Sequence, residues 1–179
     1  MAEWGIGAVF DMSNFYKREH DCLELYTVKQ DLSLTKHLGN GADGIVYLTD
    51  RSTAIKALRD ERLYQNELMT YQRLQSRGVI KVGRFNVPQL VNHDPELLVI
   101  EMTFVVPPFV VDFAGVYLDR PPAYQNEPEI MNQWEADKSE QFGDDWPEVK
   151  LLMWELRQTY RIYLNDVKPG NVTVRQSDE

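Results

Sequence analysis

Three glycines spaced Gly39-x-Gly41-x-x-Gly44 interrupt the chain, and the residues after them restrict what they can build. In a dinucleotide-binding fold such a loop leads from a strand into a helix, whose N-terminus holds the pyrophosphate. Here it leads into Ile45-Val46-Tyr47-Leu48, which is β-branched and aromatic and reads as a strand. On the other side, Leu32 and Leu34 alternate with polar residues from Asp31 onward, as in a half-buried strand. The expectation is a glycine-rich hairpin between antiparallel strands. Such a hairpin is either an ordinary flexible turn or a cover for a nucleotide, because missing Cβ atoms let backbone N–H groups reach phosphate oxygens.

The next segments of the chain favour the cover. Thr53-Ala54-Ile55-Lys56-Ala57-Leu58 reads as a third strand with a lysine inside it. Burying that lysine unpaired is costly, so Lys56 must face a cleft or solvent. Glu61 to Ser76 is rich in helix formers, with Tyr64, Leu68 and Tyr71 on one face and Gly78 placed to cap the end. Glu67 on that helix is the expected partner of Lys56. Two more strands are expected at Val87–Val91 and Glu96–Met102, joined by a His93-Asp94-Pro95 turn. An apolar run from Phe104 to Val111 is broken by two prolines, and a helix is expected over Pro128–Phe142. The clearest C-terminal helix starts at Asp145, an N-cap with Glu148 three residues on, and buries Val149, Leu152, Met153, Leu156 and Tyr160. Val172-Thr173-Val174 is a last short strand. Residues 1–30 show no clear period, although Phe10, Phe15 and Tyr16 offer apolar surface to the strands after them.

A second constellation lies in Asn165-Asp166-Val167-Lys168-Pro169-Gly170-Asn171. One tight loop holds an acid, a base and a carboxamide. Asp166 can accept or orient a hydroxyl proton, Lys168 can neutralise charge on a transferring phosphoryl group, and Asn171 offers a neutral oxygen to a hard cation. The same residue types also make a plain helix-to-strand turn.

Taken together, and in this order, these features resemble the protein kinase superfamily, including its aminoglycoside-phosphotransferase-like branch. The glycine loop, Ala54-Ile55-Lys56, Glu67, Leu98-Val99-Ile100-Glu101-Met102-Thr103 and Asp166-Val167-Lys168-Pro169-Gly170-Asn171 carry the resemblance. It implies an α+β, protein-kinase-like fold. A short N-terminal extension (1–30) would pack on an antiparallel-sheet lobe with one helix (31–103), followed by a reduced, mainly helical lobe with the catalytic-like loop (104–179). It implies ATP as nucleotide and Mg²⁺ or Mn²⁺ as cation. Gly39, Gly41 and Gly44 would cover the phosphates, Lys56 would hold them and Glu67 would hold Lys56. The backbone of Glu101 and Thr103 would meet the adenine edge, with Ile100 as gatekeeper. Asp166 and Lys168 would be catalytic and Asn171 a metal ligand. The implied activity is transfer of the γ-phosphoryl group of Mg-ATP to a hydroxyl acceptor; the alternative is an inactive kinase-like (pseudokinase) module that binds a protein.

The chain also departs from that pattern. Leu164-Asn165 stands where His-Arg is usual, so control through a phosphorylated activation segment is not expected. No further strand with an Asp-Phe-Gly triplet follows Asn171, which leaves Asp178 or Glu179 as the expected substitute for the missing metal ligand.

Charge and composition narrow the remaining classes. A net charge of -9 argues against a nucleic-acid binder or a basic membrane-surface protein. Residues 119–148 hold nine acids against two bases, so this segment is either a solvated connector or a docking surface for a basic partner or acceptor. The lone Cys22 forms no internal disulfide, no apolar run reaches the length of a membrane span, and the N-terminus lacks a basic flank. A reducing, cytoplasmic setting is expected.

Overall fold

A computed structural model describes residues 16–175. Phe10 and Phe15 at one end, and Asp178 and Glu179 at the other, lie outside these residues. The protein is α+β, and its main sheet is antiparallel. Helix α1 (Lys17–Gln30) precedes strands β1 (Leu34–Gly41), β2 (Gly44–Thr49) and β3 (Thr53–Leu58), then helix α2 (Glu61–Ser76). Strands β4 (Lys81–Val82), β5 (Phe85–Asn86), β6 (Leu90–Asp94) and β7 (Val99–Thr103) come next. The C-terminal half contains β8 (Val110–Val111), β9 (Tyr117–Leu118), α3 (Pro128–Phe142), α4 (Trp146–Glu155), β10 (Ile162–Tyr163) and β11 (Val172–Thr173).

The main sheet has five strands in the order β1-β2-β3-β7-β6. Alternation along β3 sends Ile55 and Ala57 to one face, and Ala54, Lys56 and Leu58 to the other. The first face packs under α1, where Leu23 and Tyr26 meet Ile45, Ile55 and Val99. The second packs against α2 through Tyr64, Leu68, Tyr71 and Leu74, and this core runs on without a break into Phe113, Val149, Leu152, Leu156 and Ile162. With both faces covered, β3 reads as a continuous apolar run, and its lysine is 4% exposed.

Helix α2 ends as its glycine predicts. Gly78 takes a positive φ of 66°, donates to the Gln75 carbonyl, and lets Val79 donate to the Leu74 carbonyl. The opposite end is capped by Asp60, whose Oδ1 accepts from the Leu63 N–H at 2.9 Å. Three local expectations change. The strand expected to stop at Val91 runs on to Asp94, so the turn falls on residues 95–98. Asp145 does not cap α4, because its carboxylate receives Arg175 Nε at 2.8 Å instead. Beyond Glu155, α4 loosens into a π-turn at Leu156–Tyr160.

The acidic segment divides in two. Asp119 pairs bidentately with Arg73 of α2 at 2.9 Å, and Asp145 pairs with Arg175, so these two acids have partners within the fold. Glu127, Glu129, Glu135, Asp137 and Glu140 are exposed on or beside α3. Among the described residues, no helix is long and apolar enough to cross a membrane.

A second, four-stranded sheet, β11-β8-β5-β4, determines the site. In it β11 runs antiparallel to β8, with Val172 opposite Val111 and Thr173 opposite Val110. The residue after β8 is Asp112, and its N–H donates to the Asn171 carbonyl at 2.7 Å. The end of the C-terminal loop is thereby fixed beside a carboxylate from 59 residues upstream.

Candidate active site

A cavity of about 510 Å³ lies between the five-stranded sheet and the C-terminal half. The glycine hairpin forms its roof: Gly41 pairs with Gly44 across a two-residue turn, Ala42-Asp43. The three glycines differ in role. A Cβ on Gly39 or Gly41 would meet nothing within 4 Å, whereas one on Gly44 would come within 2.0 Å of the Ala57 carbonyl oxygen. Gly44 is therefore required by the close approach of β2 to β3, while Gly39 and Gly41 leave open backbone over the cavity.

The walls are apolar at one end and charged at the other. Val46, Ala54, Met102 and Val111 form the apolar end. The charged end centres on Lys56, whose Nζ donates to both Glu67 oxygens at 3.0 and 2.8 Å and to Asp112 Oδ1 at 3.2 Å. Burial opposes the charge on Lys56, but Asp112 and Glu67 outweigh it and hold the ammonium protonated well above the ordinary lysine range. Burial pushes the Glu67 carboxyl up to about 7 despite Lys56, with Asp112 adding to the rise. One lysine thus faces two carboxyl groups.

Facing Lys56 is the C-terminal loop. Asp166 Oδ2 accepts from Lys168 Nζ at 2.7 Å and from Asn171 Nδ2 at 2.8 Å. Asn171 Nδ2 also donates to the Asp166 carbonyl at 2.8 Å. These bonds use one oxygen of Asp166 and the nitrogen of Asn171. Asp166 Oδ1 and Asn171 Oδ1 accept no protein hydrogen bond among the described residues. The Asp43 carboxyl, half-buried in the roof, is raised by burial and by the nearby Asp166 and Asp112 charges, against the pull of Lys56.

Most of the residues singled out in the sequence meet here. Gly39, Gly41, Gly44, Lys56, Thr103, Asp166, Lys168 and Asn171 line the cavity, and Glu67 stands directly behind Lys56. Two do not. Glu101 is 4% exposed on the opposite face of the sheet, where its carboxylate accepts from Tyr26 at 2.9 Å and Thr53 at 2.6 Å. Ile100 is fully buried opposite Lys56 in the β3–β7 register and does not line the cavity. The side chain at the back wall is Met102, and the edge continues through Thr103, Phe104 and Val105. The cavity wall expected at Ile100 is therefore Met102, because Met102, not Ile100, sits opposite Ala54.

Asp112 is the site residue that sequence reasoning missed. A second acid was expected downstream of Asn171, whereas β8 delivers one from upstream. The signal was present: an acid closes the apolar pair Val110-Val111 and is followed by Phe113 and Gly115. Among the described residues, no three His, Cys, Asp or Glu side chains come together as metal ligands. The donors open to a cation are Asp112 and the Asn171 carboxamide oxygen. No protein-family model matches this chain, and no curated protein is similar to it in sequence.

Proposed function

We propose that the protein is a kinase-like phosphotransferase that moves the γ-phosphoryl group of Mg-ATP to a hydroxyl acceptor. The observation that carries this reading is the buried Lys56–Glu67–Asp112 cluster under a glycine hairpin, facing Asp166 and Asn171 across one cavity. The apolar end, closed by Met102 and edged by the backbone of Thr103 and Val105, suits a flat base. The open backbone at Gly39 and Gly41, with Lys56, suits a polyphosphate.

The donor chemistry fits a divalent cation. Asp112 is partly exposed, with Lys56 as its only ion-pair partner among the described residues. Asn171 offers a free oxygen, and Asp112 and Glu67 share one lysine. Asp112 and Asn171 would hold the ion; when bound, it neutralises charge on the phosphate oxygens. The chain's own part is positional. Lys56, held by Glu67, fixes the phosphates. The free Oδ1 of Asp166 receives the acceptor's hydroxyl proton as the acceptor oxygen bonds to the γ-phosphorus, the bond to the bridging oxygen breaks and ADP leaves. Lys168, already on Asp166 Oδ2, orients that carboxylate and places a cation near the transferring group. The alternative is an inactive kinase-like module that binds a protein; the carboxylate of Asp112 beside Lys56 favours the active reading.

Mg-ATP is expected to raise the melting temperature by mass action, with ATP alone raising it less. Lys56→Ala should abolish the rise. Asp166→Ala should keep the rise but lose ADP release by about 10²-fold or more. Absence of any nucleotide-dependent shift with Mg²⁺ or Mn²⁺ would overturn the reading.

A further inference from the structure

A second cavity, about 370 Å³, opens beside the first. The two share Ala42, Asp43, Asp166 and Lys168, so the carboxylate that would take the hydroxyl proton forms part of the wall between them. A molecule in the second cavity presents its atoms directly to Asp166.

The lining is mostly polar, and its groups are unevenly committed. Lys168 is held by Asp166 at 2.7 Å. Asn66 Nδ2 donates to the Val116 carbonyl at 3.1 Å. Asn165 Oδ1 accepts from Tyr124 at 3.1 Å, which turns Asn165 Nδ2 inward, where a Cβ on Gly115 would meet it at 3.4 Å. Arg62, on the α2 wall, has no hydrogen-bond or ion-pair partner among the described residues and is exposed. Tyr117 likewise has a hydroxyl without a protein partner among these residues. Besides Asp166, the lining carries one carboxylate, Asp43, on the wall shared with the first cavity, where Lys56 is the largest opposing charge acting on it. Away from that shared wall, the cavity offers donors and the guanidinium of Arg62.

Resting on the phosphotransfer reading, we propose that the second cavity is the acceptor site, and that the acceptor is a small hydroxyl compound carrying an anionic group, phosphate or carboxylate, recognised by Arg62. The hydroxyl lies at Asp166 and the anion at Arg62. Arg62 is a specificity residue: a guanidinium binds either oxyanion by charge-assisted, fork-shaped hydrogen bonds.

Four matched three-carbon probes separate the possibilities: glycerol 3-phosphate, glycerate, neutral glycerol and cationic 2-amino-1,3-propanediol. Binding is read without nucleotide, from amide shifts of Gly115, Val116 and Asn165 in the ¹⁵N-labelled full chain. At least one anion should bind roughly tenfold tighter than glycerol, and Arg62→Gln should remove that advantage while Arg62→Lys keeps part of it. The better anion identifies which oxyanion is used. The melting temperature of each variant without ligand reports that it is folded. Equal or tighter binding of the neutral or cationic probe, undiminished anion binding in Arg62→Gln, or no amide shift with either anion at millimolar concentration overturns the proposal. If the anions bind as expected but Mg-ATP does not, the phosphotransfer reading fails and the anion site stands.

Discussion

At the scale of single residues, the glycine loop separates a structural demand from a functional opportunity that share one spelling. Gly44 cannot accept a Cβ, because the Ala57 carbonyl is 2.0 Å from where it would stand. Gly44→Ala should cost about 2–4 kcal/mol, as β2 must shift from β3, whereas Gly41→Ala should leave the unfolding free energy in urea within about 0.5 kcal/mol of wild type. Equal losses would show that the hairpin is not held by that approach. Asp43 gives the pH test. Its folded pKa lies above the ordinary 3.8, so its contribution is fully stabilising only below 3.8 and is lost as pH rises through the folded value. Asp43→Asn should therefore melt higher than wild type at pH 7, with the difference closing toward pH 4. A constant difference across that range would refute the burial and charge-crowding account.

Among the elements, strand β3 was the most legible. Its apolar run with a lysine inside, followed by a helix with a glutamate 11 residues on, gave the buried ion pair directly. Strand β7 was misread by two residues along its length: Ile100 and Met102 share one face, and only the pairing with β3 decides which of them reaches the cavity. The shortest strands matter most to the site. Val172 of β11 is 1% exposed and pairs with Val111, and the adjoining Asn171 carbonyl anchors Asp112. Val172→Ala should cost about 1–3 kcal/mol and weaken Mg-ATP binding. Leu32→Ala, in the separate core under α1, should destabilise comparably and leave nucleotide affinity unchanged. Matching affinity losses in the two variants would show that β11 does not position Asp112.

For the molecule as a whole, two cores meet a single sheet, and the larger runs through α2 into the C-terminal helices. Arg73 ties α2 to Asp119 and to the Tyr160 carbonyl, so the helix that carries Glu67 is fixed to the half that carries Asp166. The local chemistry was decided by sequence alone: a hairpin where glycines precede β-branched residues, a capped helix ending at Gly78, and a tight loop holding Asp166, Lys168 and Asn171. These features depend on backbone freedom, periodicity and turn geometry, all of which act over a few residues. Only the tertiary structure could bring Asp112 to Lys56, turn Glu101 away from the cavity and open a second cavity between Arg62 and Asp166. Each depends on strand pairing or packing between segments far apart in the chain, and chain order says little about which distant segments will pair. The second acid stood 54 residues before Asp166 in plain view, and only the β8–β11 pairing gave it a place.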